Sequence, residues 1–174
     1  MKTYIALLRG INVGGHKKIL MKDLRALFER IGYSEVASYI QSGNMVFSSE
    51  SDTEHDKRIS EAIEEAYGWD VPVLVKTSDE IKAILDECPF PKEKKESAYF
   101  MLLFKQPVKE DIERLKTFQF QDEEFVLSPK CIYFYSAVDP GKSKLNNNFF
   151  EKKLKVTATT RNFRTLQKLV ELSD

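Results

Sequence analysis

The sequence predicts an α+β fold made of two successive β-α-β-β-α-β halves. Short apolar runs and amphipathic stretches recur in the same order twice along the chain. Two prolines and a charged run, Pro89-Phe90-Pro91 then Lys92-Glu93-Lys94-Lys95-Glu96, separate the two series. The opening strand of each series has the same character, Tyr4-Ile5-Ala6-Leu7-Leu8 against Tyr99-Phe100-Met101-Leu102-Leu103. Residues 1–90 and 97–174 are therefore expected to form the halves, the second with a C-terminal helix, and residues 91–96 a linker. Two units of this element order are an internal duplication of a ferredoxin-like motif.

In the first half, Tyr4 to Leu8 reads as a strand and leads into the glycine-rich loop Arg9-Gly10-Ile11-Asn12-Val13-Gly14-Gly15. Leu20, Leu24, Leu27, Phe28 and Ile31 fall on one helical face, and Gly32 is a natural stop. Val36 to Ile40 and Met45 to Phe47 form a hairpin around Gln41-Ser42-Gly43-Asn44. Asp52 and Thr53 are expected to open a helix through Tyr67, ended by Gly68, and Val71 to Val75 to form the fourth strand. Thr77 or Ser78 then caps an additional helix over Ile81, Ile84 and Leu85.

The second half repeats the scheme. Ala98 to Phe104 is a strand and Val108 to Phe118 a helix with Ile112 and Leu115 inward. Glu124 to Leu127 and Ile132 to Tyr135 form a hairpin around Ser128-Pro129-Lys130. Lys144 to Leu154 is expected to be helical, Lys155 to Thr157 extended, and Arg161 to Leu172 the closing helix.

Composition narrows the class. A hydrophobic fraction of 42%, with 12 Phe and 7 Tyr, is enough for a core and argues against disorder. No apolar run is long enough for a membrane span, and the first strand is too short for a signal-peptide core. Cys88 and Cys131 make neither a disulfide framework nor a metal cluster, so a reduced, cytoplasmic protein is expected. Formal charge sums to +0 but is unevenly spread: residues 1–48 carry +4, residues 49–96 carry −7 and residues 130–168 carry +7. If the two basic blocks meet, they make one basic face.

The loops carry the chemistry. Arg9 and Asn12 with three glycines, and no acidic residue before Asp23, suit an anion such as phosphate. A tight connection in which glycine supplies positive φ accounts for the same residues. A P-loop is excluded: Gly10 and Gly15 have its spacing, but His16 stands where Lys is required. Lys142, Ser143 and Lys144 follow a strand and precede a helix, where free N–H groups can hold an anion, although Pro140 stiffens that loop and Ser143 has a simpler role as a helix cap. In the hairpin turn Ser42 and Asn44 serve the turn, and Gln41 exceeds what a turn requires. Thr160, Arg161, Asn162 and Phe163 combine a helix cap with a phosphate-gripping arginine and an aromatic.

Catalytic groups are sparse. His16 and His55 are the two histidines, the second in an acidic, exposed helix start, and neither cysteine has a histidine near it in sequence. No metal-ligand spacing appears and no cofactor is expected.

The combination of Arg9-Gly10-Ile11-Asn12-Val13-Gly14-Gly15, Met21, Leu24, Tyr39-Ile40-Gln41-Ser42-Gly43-Asn44, Phe47, Ser143-Lys144-Leu145 and Ala158-Thr159-Thr160-Arg161-Asn162 resembles the bacterial "domain of unknown function 1697" family over nearly the whole chain. The resemblance implies the duplicated ferredoxin-like architecture and no established activity. The chain departs from the family pattern at Phe163, where Trp is frequent, and in the Asp139-Pro140-Gly141 loop, which elsewhere is richer in glycine and arginine.

The resulting expectation is a non-catalytic binder of a phosphate-bearing ligand, a nucleotide or single-stranded nucleic acid. The expected ligand-binding residues are Arg9, Asn12, Gly14, Gly15, Gln41, Ser42, Asn44, Lys142, Ser143, Lys144, Arg161 and Asn162, gathered in a basic cleft between the halves. One alternative is a small enzyme acting on a phosphorylated or acyl substrate, with His16 carrying the proton. Another is a protein-interaction module. Membrane association is not expected, and the sequence leaves the oligomeric state open.

Overall fold

The computed structural model describes residues 1–139 and 141–174, so Pro140, expected to stiffen the loop before Ser143, lies outside the described residues. The chain divides into two units, Met1–Ala83 with Gln167–Asp174, and Ile84–Leu166. Among the described residues, no helix is long and apolar enough to cross a membrane.

The first unit contains β1 (Lys2–Leu8), α1 (Met21–Arg30), β2 (Ser34–Tyr39), β3 (Asn44–Ser49), α2 (His55–Tyr67), β4 (Val73–Thr77) and most of α3 (Ser78–Asp86). Its strands form an antiparallel sheet in the order β2-β3-β1-β4. The two-residue period of β1 places Tyr4, Ala6 and Leu8 in a core with Leu24, Leu27 and Phe28 of α1 and Ile59 and Ile63 of α2. Each large apolar side chain buried there is worth about 1.5–3 kcal/mol. Thr77 and Glu80 make a reciprocal capping box at the start of α3: Thr77 Oγ1 accepts from Glu80 N at 3.2 Å, and Glu80 Oε2 accepts from Thr77 N at 2.9 Å. Of the two caps expected from sequence, Thr77 and Ser78, Thr77 is the one used. Asp174, at the other end of the chain, accepts from Lys82 Nζ at 2.7 Å and Ser78 Oγ at 3.0 Å. The single tryptophan, Trp69, stacks on Tyr67 at 5.3 Å and packs against the first core.

Two expectations in this unit are corrected. The helix α2 begins at His55, with Glu54 preceding it in a left-handed conformation and no side-chain cap, so Asp52 and Thr53 do not open it. His55 is not exposed but 4% accessible, boxed by the rings of Tyr4 (4.4 Å), Tyr33 (5.4 Å) and Phe47 (5.4 Å). Its Nε2 lies 3.0 Å from the Ser51 carbonyl, which only accepts, so Nε2 carries the proton and Nδ1 accepts from the Tyr33 hydroxyl at 3.0 Å. The aromatic partners come from three separate segments, which is why the acidic local sequence misled.

The second unit contains α4 (Lys92–Lys95), β5 (Tyr99–Leu103), α5 (Lys109–Lys116), β6 (Glu123–Leu127), β7 (Cys131–Ser136), α6 (Asn147–Leu154), β8 (Ala158–Asn162) and the start of α7 (Phe163–Ser173). Its sheet order, β6-β7-β5-β8, repeats that of the first unit, and every pairing is antiparallel. The duplicated ferredoxin-like architecture read from element order is therefore present. Met101, Leu103, Ile132, Phe134, Leu115, Phe150 and Leu154 build the second core. Asp111 is buried at the start of α5, with Lys155 Nζ at 3.2 Å and Arg114 at 3.3 Å from Oδ1.

Three corrections fall here. α6 starts at Asn147, not Lys144, and its cap is Asn146, whose side chain accepts from Phe149 N at 2.9 Å, so Ser143 is not a helix cap. The extended segment is Ala158–Asn162, not Lys155 to Thr157, so Arg161 and Asn162 end a strand. The closing helix starts at Phe163, and its cap is Asn162, accepting from Thr165 N at 2.9 Å, not Thr160. Pairing with β5 outweighs the local capping signal of Thr159-Thr160. Within the stretch read as a linker, Lys92–Lys95 make the helical turn α4.

Burial, reinforced by the nearby Arg58, lowers the His55 pKa, against the opposing effects of the Ser51 carbonyl and of Asp56 and Asp52. A base whose folded pKa lies below its unfolded value, about 6.5, stabilises fully above that value and loses its contribution as pH falls below it. Urea midpoints measured across this window are expected to fall on acidification. His55→Gln is expected to flatten that slope, and an unchanged slope would remove His55 as its source.

Candidate functional site

The two polar motifs of the first unit meet. Leu8 N donates to Gly43 O at 2.9 Å, joining the end of β1 to the β2–β3 turn. Gly43 sits at φ +76, and a Cβ there would lie 2.8 Å from Leu8 Cβ and 3.0 Å from Ile11 Cδ1, so this close approach requires glycine. Asn12, at φ 55, fastens the loop: its Nδ2 donates to Ile19 O and to Gln41 O, both at 2.9 Å, and its Oδ1 accepts from Ile19 N at 2.8 Å. Its carboxamide is thus fully occupied within the fold. Asn44 is completely buried and donates to Tyr39 O (3.1 Å) and Ser42 Oγ (2.8 Å), fixing the turn. Arg9 is half-buried, and its N–H donates to Pro72 O at 2.9 Å.

This fastening leaves a concavity of about 360 Å³, lined by Asn12, Gly15, Lys18, Ile19, Leu20 and Gln41. Three of these, Asn12, Gly15 and Gln41, were expected from sequence, and Gly14 adjoins them. Among the described residues, the N–H groups of Gly14 and Gly15, the Lys18 ammonium and the Gln41 carboxamide make no hydrogen bond. The Lys18 stem lies beside Gly15, its Cε 4.0 Å from where a Cβ would stand. Lys17 is turned away, its ammonium donating to Asp70 O. Leu20 is 68% exposed and, with buried Ile19, gives the concavity an apolar wall. Lys18, Ile19 and Leu20 are the residues sequence reasoning missed. Lys18 stands three residues beyond Gly15, and Leu20, expected on the buried helical face, precedes α1 and is exposed, so neither stood out from the sequence pattern.

In the second unit the Lys142–Lys144 loop holds an anion from its own chain. The Glu123 carboxylate accepts from Ser143 Oγ, from Lys144 N at 3.0 and 3.2 Å, and from Leu145 N at 3.4 Å. Burial alone would raise the pKa of Glu123, but these bonds, with one from Ser136, hold it below its ordinary value. The Lys142 side chain pairs with Asp139 at 3.5 Å, and Lys144 lies over the Phe120 ring at 5.9 Å. Arg161 donates to Thr159 Oγ1 and Thr160 O, both at 2.8 Å. Burial lowers its pKa to about 10, which still leaves it a cation at neutral pH.

Burial raises the pKa of both Cys131 and Cys88, so both are protonated thiols at neutral pH. Among the described residues, no group of His, Cys, Asp and Glu is arranged to hold a metal ion.

Gly43→Ala is expected to destabilise by about 2–4 kcal/mol, combining left-handed strain with overpacking. Gly10→Ala, with open space around its φ +75 position, is expected to cost only about 1 kcal/mol. Chemical denaturation measures both, and equal losses would refute the steric account. Glu123→Gln is expected to cost about 1 kcal/mol after allowance for solvent screening. Because the Glu123 pKa is lowered on folding, that difference should vanish as pH falls through the carboxylate range.

Comparison with known proteins adds identity to this geometry. Among solved structures, the conserved bacterial protein SP0830 from Streptococcus pneumoniae is similar over 99% of this chain and 98% of its own, at 25% sequence identity and a TM-score of 0.70. No curated protein matches the chain. A family model described as "Protein of unknown function (DUF1697)" matches residues 1–133, a span that includes both joined motifs of the first unit. The chain therefore belongs to the DUF1697 family of proteins of unknown function.

Proposed function

We propose that this protein is a non-catalytic binder of a phosphate-bearing ligand, and that the ligand is a nucleotide seated in the concavity of the first unit. The supporting observation is the concavity itself: about 360 Å³, with Lys18 and Gly15 beside an apolar wall of Ile19 and Leu20. That volume falls within the range of small-molecule sites. Unengaged glycine N–H groups and an ammonium suit a phosphate. The apolar wall suits the flat face of a base, and the free Gln41 carboxamide its hydrogen-bonding edge. Apart from Lys18, no titratable side chain lines the concavity among the described residues, which favours binding over acid–base chemistry.

Thermal-shift titrations with nucleotides and with short single-stranded oligonucleotides test this. A nucleotide at about 100 times its dissociation constant is expected to add roughly 2.7 kcal/mol of stability. Lys18→Glu, at an exposed position, is expected to leave the unliganded Tm unchanged and to weaken binding at least about tenfold. Equal binding by Lys18→Glu, or no shift with any nucleotide, would reject the site. A response confined to oligonucleotides, weakening steeply with added salt, would replace the nucleotide with nucleic acid.

A further inference from the structure

The tip of the loop after β1 is closed like a small hairpin. Val13 and His16 form an isolated bridge, with His16 N donating to Val13 O at 3.0 Å, and Asn12 N donates to Lys17 O at 3.1 Å. Gly14 and Gly15 between them are both left-handed, at φ 57 and 79, the conformation of a type I′ turn. The hydrogen bond of such a turn runs from its fourth residue to its first, which leaves the N–H groups of the two central residues outside it. Lys18 adds the one charged side chain of the concavity's lining, whereas the Lys17 ammonium is taken by the Asp70 carbonyl.

The other end of the concavity is held just as firmly. Gln41 O accepts from Asn12 Nδ2 at 2.9 Å, and Tyr39 O accepts from Asn44 Nδ2 at 3.1 Å. Between them Ile40, a β-branched residue, is kept at φ 51, a strained conformation that the bonds on either side maintain. Gln41 is therefore presented by a backbone with little freedom. Its carboxamide offers a donor beside an acceptor, the pattern that matches the hydrogen-bonding edge of a base.

The composition of the lining limits the number of phosphates. Asn12, Gly15, Lys18, Ile19, Leu20 and Gln41 include neither a carboxylate nor a hydroxyl. Proteins that hold a chain of phosphates offset its charge with Mg²⁺ on carboxylate and hydroxyl oxygens and with further cations. A single phosphate ester carries about −1.5 to −2 at neutral pH, which one ammonium and two amide dipoles largely balance.

We propose that the nucleotide seated here is a nucleoside monophosphate. Its one phosphate rests on the Gly14 and Gly15 amides and the Lys18 ammonium, and its base lies against Ile19 and Leu20 with its edge on Gln41. This assignment rests on the nucleotide reading above and narrows it to one ligand class. A second or third phosphate finds no further donor in the lining.

Isothermal titration calorimetry tests it with the four common ribonucleosides, their 5′-mono-, di- and triphosphates, and ribose 5-phosphate, each with and without Mg²⁺. The best monophosphate is expected to bind at least about tenfold tighter than its nucleoside. The corresponding di- and triphosphate are expected to bind no tighter, and Mg²⁺ to change nothing. Lys18→Gln is expected to bring the monophosphate down to the nucleoside's affinity and to leave the nucleoside unchanged. Gln41→Ala is expected to weaken both alike, by about fivefold. Both positions are exposed, and among the described residues neither side chain makes a hydrogen bond, so both variants should keep the wild-type Tm. A triphosphate about tenfold tighter than the monophosphate, or binding strengthened by Mg²⁺, overturns the single-phosphate assignment and leaves a nucleotide site standing. Ribose 5-phosphate binding as tightly as the monophosphate overturns it by removing the base, and a Lys18→Gln variant that still prefers the monophosphate overturns it by removing the lysine. Silence from every compound rejects the nucleotide reading itself.

Discussion

The close contact at Gly43 governs the first unit. Leu8 and Ile11 pass within 3.0 Å of the space a side chain would occupy, so the β2–β3 turn seats directly against the exit of β1. With that contact made, the Leu8–Gly43 hydrogen bond forms, and Asn12 can span from Ile19 to Gln41 with one carboxamide. The loop is then held by polar bonds at its root while its glycine-rich tip projects. A bulkier turn would separate strand exit from hairpin and dissolve the concavity between them. The site is thus a by-product of packing at one residue that takes no part in it.

The two units use one topology to different ends. In the first, the loop after the opening strand leaves two glycine N–H groups and a lysine unengaged. In the second, the loop before α6 closes on the Glu123 carboxylate, which β6 brings back from about twenty residues away. An anion-binding arrangement of N–H groups is present there, and the chain fills it itself. The two loops are not counterparts in the repeat, one following the first strand of its unit and the other the third, so the repeated topology does not carry repeated polar loops.

Element order was legible because short apolar runs, as in β1 and β3, and a 3.6-residue period, as in α1 and α5, are local properties. A cap at Thr77 or Ser78 was legible for the same reason, and Thr77 takes the role with a partner, Glu80, three residues on. The strand Ala158–Asn162 was hidden by its composition: four of its five residues are polar, and only pairing with β5 makes them a strand. The caps at Asn146 and Asn162 were missed because the choice among neighbouring Ser, Thr and Asn depends on where the preceding segment stops. Glu123 could not be linked to Ser143, nor His55 to Tyr4, Tyr33 and Phe47, without three-dimensional neighbours. In the candidate site, the glycines and the Gln41 turn stood out by composition, whereas Lys18, Ile19 and Leu20 acquire meaning only from the wall they share.

The stacked pair Tyr67–Trp69 carries one more consequence. Trp69 is the single tryptophan of the chain and rests on the first core, with its ring 5.3 Å from Tyr67 and nearly parallel to it. Indole emission excited at long wavelength therefore senses the first unit alone, while far-ultraviolet circular dichroism senses both. The molecule carries its own optical label, and a mismatch between these two signals during denaturation would reveal that the duplicated halves melt independently.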